Sequence, residues 1–400
     1  MISVANYWLV ILPVLFGIGW LASNWERRLQ DAVDNEEQIK KQKSTFKGLN
    51  LLLNEQPDKA IDALVEVVKL DPETTELHFA LGSLFRRRGE TERAIRIHQH
   101  LVGRIDLNMR DRNHAAYELG RDFLRAGMLD RAEASLNQVS DGAFNIPAKV
   151  ALLEMYQIEK DWRKAIIAAN ELQLIEGKNY QDQIAHFYCE IAQESIRRKD
   201  FKIAEEAVQQ SLSTVENHIR AITLKGELRM LAARPKEAIL VWIEIEKHHA
   251  SYLHLIADKW MSAHAEIGQE KIGLQHLKDQ LAEQAGGELL DIVYRNCLKI
   301  EGAEVAERLM SDIMLTTPSL VAMTKRLESQ WILAKDANNQ PLEQDIKASL
   351  DLLKLRTSTL VRYTCSSCGF RAKRFYWQCP GCNHWDVYSP KRSEGMSFSN

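Results

Sequence analysis

Four of the chain's six cysteines fall in its last forty residues, as Cys365-x2-Cys368 and Cys379-x2-Cys382. Two C-x2-C hooks a short loop apart have the spacing of a tetrahedral four-thiolate metal site, because each hook brings two sulfurs to one ion from a tight turn. Each hook also carries turn chemistry: Gly369-Phe370 follows Cys368, Pro380-Gly381 follows Cys379, and Asn383 tolerates a left-handed conformation. The competing reading, disulfides, requires an oxidising compartment. Cys189 and Cys297 stand alone in apolar helical stretches and read as reduced and buried, which favours metal. Four thiolates on one ion leave no open coordination position, so the site is structural, or at most redox-active as iron. Zinc and iron both accept tetrahedral sulfur, and spacing does not separate them.

Residues 361–392 hold few aliphatics but seven aromatics, Tyr363, Phe370, Phe375, Tyr376, Trp377, Trp385 and Tyr388. That is too little for an independent core. Metal binding must hold the module together, and structural zinc supplies roughly 10–16 kcal/mol in such small modules.

The elements ahead of this knuckle are helical and repeat. Alanine recurs in the second helix of successive units at Ala60, Ala94, Ala132, Ala165, Ala204 and Ala238, followed by Gly273 and Ala306. The intervals are 34, 38, 33, 39, 34, 35 and 33, centred on the 34-residue tetratricopeptide period. Twelve residues before each lies a close-contact position of the first helix: Gly48, Gly82, Gly120, Leu153, Ala192, Gly226, Met261 and Tyr294. Leu51, Phe85, Phe123 and Tyr156 recur three residues later as gap fillers, and Pro72 and Pro318 fall where a second helix should stop. A single helical hairpin cannot bury its own apolar face, so neighbours stack into a superhelix with an extended surface suited to proteins or peptides. The stretch DANNQPLEQ is expected to interrupt the last helices, and LEQDIKASLDLLKL to form a final helix leading into the knuckle.

At the other end, Val4 to Ala22 reads VANYWLVILPVLFGIGWLA, an uncharged run close to the ~20 apolar residues that span a bilayer. Tyr7, Trp8, Trp20 and Trp25 lie near its two ends, where aromatic rings favour the headgroup interface. No Lys or Arg precedes Val4, as a cleaved signal peptide would require, so the run reads as a retained anchor. Arg27, Arg28, Lys40, Lys41 and Lys43 follow it, which by the positive-inside rule places the remainder on the cytoplasmic side. Overall composition, 27% charged with a net charge of -3, shows no global bias toward nucleic acid.

No catalytic constellation is visible. His98, His100, His248, His249, His254 and His264 lie on helical stretches without a nucleophile partner and read as core or solvated residues. Arg86, Arg87, Arg88, Arg93 and Arg96 form a basic cluster in the second repeat, read either as a solvated helix face or as a docking patch for an acidic partner or lipid headgroups.

The expected organisation is thus an all-α tetratricopeptide-repeat superhelix over residues 45–356, preceded by a transmembrane anchor at 1–23 and a juxtamembrane segment at 24–44. A four-cysteine metal-binding domain follows at 357–392, with a disordered tail at 393–400. Anchor, repeats and knuckle together resemble the lipopolysaccharide assembly protein B family of Gram-negative bacteria. The resemblance is most specific at LGSLFRRRGETERAIRIHQHL (81–101), LGRDFLRAGMLDRAE (119–133), IAHFYCEIA (184–192) and RYTCSSCGF…YWQCPGCNHW (362–385).

The resemblance implies a single-pass inner-membrane protein whose repeat domain ends in a rubredoxin-like domain, with Cys365, Cys368, Cys379 and Cys382 holding one metal ion. Iron is the family assignment, with zinc as the alternative. It further implies a non-enzymatic adaptor that regulates lipopolysaccharide biosynthesis. The adaptor would promote proteolysis of the lipid A committed-step deacetylase by a membrane-bound AAA+ metalloprotease, alongside other lipopolysaccharide synthesis and transport proteins. Two other classes compete. One is a rubredoxin-like electron-transfer protein. The other is a general tetratricopeptide scaffold with a nucleic-acid-binding zinc ribbon, since Arg362, Arg371, Lys373, Arg374, Lys391 and Arg392 against Asp386 give residues 361–392 a net charge of +5 (six minus one).

Overall fold

A computed structural model describes residue 65 and residues 74–389, apart from 141, 284–286 and 359–362. The expected anchor, juxtamembrane segment, first repeat (Gly48, Leu51, Ala60), Pro72 and C-terminal tail lie outside the described residues. Among the described residues no helix is long and apolar enough to cross a membrane.

The described chain is a succession of helices closed by a small two-stranded ribbon, and it falls into two compact units. The first runs up to Asp161 and includes Leu174–Glu176; the second comprises Trp162–Gln173 and everything from Gly177 onward. In the first unit α1 (Thr75–Arg88) pairs with α2 (Thr91–Val102) and α3 (Met109–Arg125) with α4 (Leu129–Leu136), followed by α5 (Asn145–Glu159). Most of α6 (Trp162–Glu176) belongs to the second unit. There α7 (Gln181–Arg198) pairs with α8 (Phe201–Thr214), and α9 (Ile219–Leu231) with α10 (Pro235–His249). A 3-10 turn (Ala250–Leu255) leads to α11 (Ala257–Glu266), α12 (Glu270–Glu283), α13 (Gly287–Ile300) and α14 (Ala303–Thr316). The last pair is α15 (Leu320–Asp336) with α16 (Gln340–Ser358).

The repeat positions explain why these helices pair. Ala94, Ala132, Ala165, Ala204, Ala238 and Ala306 are all fully buried. Opposite them, bulk is exchanged across each crossing. Where the first helix carries glycine, at Gly82, Gly120 and Gly226, the second helix fills the space with His98, Leu136 and Trp242, and any Cβ at the glycine would collide with that side chain. Where the first helix carries Ala192, the second supplies Val208 in the same core cluster. The seventh repeat inverts the exchange: Gly273 stands on the second helix, and His264 from the first occupies the room its missing Cβ leaves. The departures at Met261 and Tyr294 are therefore compensated, both lying in one continuous core with Trp242, Leu277 and Met310.

Seven hairpins turn on one residue in the left-handed region. These are Gly89, Gly127, Lys160, Lys199, Ala233, Gly268 and Asn338, with φ between 54° and 85°. At that conformation the next backbone N–H groups reach the last free carbonyls of the first helix: Asp200 N–H, for instance, donates to Ser195 O at 2.9 Å. Helix starts are fixed by side chains where the sequence supplies them, with Asn108 accepting from Asp111 N–H and Ser319 from Ala322 N–H. The expected interruption at DANNQPLEQ shrinks to residues 337–339. The left-handed Asn338 makes the turn, and Pro341 falls in the first turn of α16, where its missing N–H costs nothing.

Candidate metal centre and its docking face

The ribbon pairs β1 (Tyr363–Thr364) antiparallel with β2 (Arg371–Ala372), Tyr363 opposite Ala372. Bridges from Cys365 to Tyr388 and from Gln378 to Trp385 complete it. The two hooks are built alike. In each, the residue four after the leading cysteine is left-handed, Gly369 at φ 75° and Asn383 at φ 58°. Its N–H returns to that cysteine's carbonyl, Gly369 to Cys365 at 3.0 Å and Asn383 to Cys379 at 2.8 Å. The turns point N–H groups at sulfur: Cys368 N–H toward Cys365 Sγ and Gly381 N–H toward Cys379 Sγ, both at 3.4 Å. Gly381 packs closely, since a Cβ there would lie 3.2 Å from Phe370 and 3.4 Å from Cys368 Sγ and would push the Phe370 ring aside.

This geometry brings Cys365, Cys368, Cys379 and Cys382 together with all four sulfurs within 4.8 Å of one another. Cys365 Sγ lies 3.7 Å from Cys382 Sγ, and Cys368 Sγ 3.7 Å from Cys379 Sγ. A tetrahedron of ~2.3 Å metal–sulfur bonds has edges of about 3.8 Å, so the sulfurs already stand at ligand spacing for one metal ion. Their acidities point the same way. Burial opposes ionisation of Cys379, but the Tyr388 hydroxyl at 3.5 Å and the N–H groups of Cys382 and Gly381 pull its thiol down to about 6. Cys368 receives the Phe370 N–H, yet desolvation and the three neighbouring sulfurs push it up to about 12. Four sulfurs this close can all be thiolates only around a cation. Bound there, the metal would meet a complete thiolate set, which supplies a structural clamp with no vacant position for substrate. Cys365 and Cys379 are buried, Cys382 is half-buried, and Cys368 is exposed.

The ribbon does not end the array as a cap on its last repeat; it docks along the first helices of the middle repeats. Trp385 stacks on His186 of α7 (ring centroids 4.7 Å apart, 20° between planes), meets Phe187 and Trp162 edge-on, and lies under the Arg220 guanidinium of α9. His186 Nε2 bonds Asp386 Oδ2 at 2.6 Å. Trp377 stacks on Tyr252, and the Tyr363 hydroxyl, donating to Glu288 of α13, meets His254 Nε2 at 3.2 Å. The four polar anchors, His186, Arg220, His254 and Glu288, are spaced 34 residues apart, one per repeat. Sequence reasoning missed three of them and read His254 only as a core or solvated residue. The signal was present as polar residues recurring at the repeat period, three in first helices and His254 in the 3-10 turn ahead of α11.

The basic cluster divides. Arg87, Arg88, Arg93 and Arg96 are exposed, with Arg88 and Arg93 both paired to Glu90 at 2.9 and 2.7 Å. Arg86 instead points inward to Glu118 and, at 2.8 Å, to Asp122 of α3, and Asp122 also takes His98 Nδ1 at 2.5 Å. Burial alone would lower the Arg86 pKa, but these two carboxylates hold it above its usual value. His98 and His264 are buried core histidines, His248 is exposed, and His249 Nε2 bonds Asn217 O at 3.0 Å.

A family model described as a rubredoxin metal binding domain matches residues 363–387. Lipopolysaccharide assembly protein B of Escherichia coli strain K12 is 29% identical over 388 residues, covering 96% of this chain and 97% of that protein. Along nearly its whole length the chain is similar to lipopolysaccharide assembly protein B. The lipopolysaccharide assembly protein B of Haemophilus influenzae (strain ATCC 51907) is 26% identical over 402 residues, with 95% of this chain and 97% of that protein covered. Among solved structures, a tetratricopeptide repeat protein from Parabacteroides merdae is 10% identical with a TM-score of 0.33, covering 72% of this chain and 98% of that one. So weak a structural likeness adds nothing to the helical pairs described above.

Proposed function

We propose that this chain is a non-enzymatic, membrane-tethered adaptor that regulates lipopolysaccharide biosynthesis. In this reading it promotes proteolysis of the deacetylase that commits precursor to lipid A, by a membrane-bound AAA+ metalloprotease, and organises other lipopolysaccharide-synthesis proteins at the inner membrane. The observation that carries the reading is similarity to lipopolysaccharide assembly protein B along 96% of the chain. A metal site whose four ligands are all thiolates supports it, because such a site offers clamping and no vacancy for chemistry.

The proposed division of labour follows the expected boundaries. Residues 1–23 anchor, 24–44 tether, 45–356 bind partners, 357–392 form the metal-held ribbon, and 393–400 trail as a tail. Confinement beside a membrane protease raises effective concentration, so the repeats need only modest affinity for each partner. The exposed Arg87, Arg88, Arg93 and Arg96 are the proposed contact for an acidic partner, with Arg86 bracing the helix that presents two of them. The metal is read as iron, and elemental analysis giving zinc alone would reassign it. Affinity capture from detergent-solubilised membranes, read by mass spectrometry, tests the whole reading. Recovery of a membrane protease together with lipopolysaccharide enzymes is expected, and recovery of neither contradicts it.

A further inference from the structure

Around the docked ribbon, the helical face offers more hydrogen-bonding capacity than its occupant uses. His186 is fully buried and Arg220 is 5% exposed, and both face the ribbon through Trp385. With Asp386 on His186 Nε2 and with Glu190 and Gln193 on Arg220 Nη2, His186 Nδ1 and Arg220 Nη1 still have no hydrogen-bond partner. Buried polar groups of this kind are ordinarily paired.

Three features of the occupant are equally specific. At this face the Trp385 indole is seated among rings beside the Trp377 ring, which also meets His186, and the one carboxylate there, Asp386, is itself 45% exposed. The contact consists of ring stacking and rim hydrogen bonds, the chemistry of a reversible interface. The ribbon's own small cluster of Tyr363, Cys365, Ala372, Cys379 and Tyr388 includes two of the metal ligands, so the metal that holds the module would hold it off the helical face as well.

We propose that the face formed by Trp162, His186, Phe187 and Arg220 is a peptide-recognition groove that the ribbon fills in cis, and that its ligand in trans is an extended protein segment with an aromatic residue flanked by carboxylates. Trp385-Asp386 is the built-in version of that ligand. A partner segment with a second carboxylate engages Arg220 Nη1 or His186 Nδ1 as well and displaces the ribbon. The inference deepens the adaptor reading and takes from it only that the partner is a protein.

The test uses the full chain in detergent micelles and two fluorescein-labelled peptides, NHWDVY, which copies residues 383–388, and the acid-enriched DEWDEY. Trp385→Ala with Asp386→Ala opens the groove. Anisotropy should show DEWDEY binding the opened variant at least tenfold more tightly than the parent chain, and more tightly than NHWDVY binds it. Adding His186→Ala should lose at least tenfold. Equal binding to parent and opened chains, equal binding of the two peptides, or indifference to His186→Ala overturns the proposal. Should the opened variant lose its helical circular dichroism, the parent chain decides alone. Saturating DEWDEY should then speed hydrogen exchange over residues 377–388, and unchanged exchange overturns the proposal. Peptide binding without any lipopolysaccharide phenotype in the His186→Ala strain would leave the groove standing and sink the adaptor reading.

Discussion

Arg86 and Arg87 are adjacent and identical in type, yet their surroundings assign them opposite work. Arg86 bridges two buried carboxylates in the first unit, and truncating it would leave Glu118 only Arg121 at 3.4 Å and His114 at 3.8 Å, and Asp122 only His98. Breaking such a buried pair costs about 3–5 kcal/mol. Arg86→Ala is therefore expected to lower the urea midpoint of the first transition markedly, whereas Arg87→Ala, on an exposed position, should change stability by less than about 0.5 kcal/mol. His218 makes a second residue-scale case. Its imidazole caps α9 by accepting from Ala221 N–H, which requires the neutral form. Burial first, and His186 beside it, lower its pKa to about 3. A histidine depressed in the folded state binds its proton more readily unfolded, so its contribution to stability is complete above the unfolded value near 6.5 and is lost as pH falls from there toward 3. Between pH 7 and pH 5 the loss is about 2 kcal/mol. His218→Asn replaces the capping Nδ1 with an amide oxygen that accepts the same N–H, and removes the titration. Chemical unfolding at the two pH values should show a smaller drop for this variant than for the parent, and an equal drop would refute the assignment.

At the scale of elements, the same left-handed turn is met at seven hairpins by three glycines and by Lys160, Lys199, Ala233 and Asn338. A Cβ in that conformation costs roughly 1–2 kcal/mol, partly offset by the added entropy of an unfolded glycine. Ala233→Gly and Lys199→Gly are each expected to stabilise the second unit by about 1 kcal/mol, seen as a rise in midpoint temperature; a fall would mean that the side chains do something the turn does not reveal. These turns and the helix pairs were legible beforehand because their signals are local: an alanine at each period, a residue twelve earlier, a breaker between. The hooks were legible for the same reason, since a C-x2-C turn carries its geometry within four residues. Docking was not legible in that way. His186 and Asp386 meet across 200 residues of chain, and nothing near either one announces the other. The inward turn of Arg86 was hidden similarly, because its partners lie on α3, more than thirty residues on. The exchange of bulk between Gly226 and Trp242, or between Gly273 and His264, shows why departures from the repeat pattern did not break the fold. Volume is conserved across each crossing even where residue type is not.

For the molecule as a whole, the four cysteines stand together at ligand spacing in a ribbon that docks on the helices through contacts such as His186 to Asp386. In the proposed adaptor reading the helical surface binds other proteins, and the anchor holds it beside a membrane protease and that protease's substrate. Tethering is the claim on which this account depends most, because it converts modest affinities into turnover. The direct measurement is the half-life of the lipid A committed-step deacetylase in cells that carry either the full chain or residues 24–400 as their sole copy, at matched levels. The account predicts rapid turnover with the full chain and a deacetylase stabilised severalfold when residues 1–23 are absent, although the shortened chain remains folded. Equally rapid turnover with the shortened chain would contradict it.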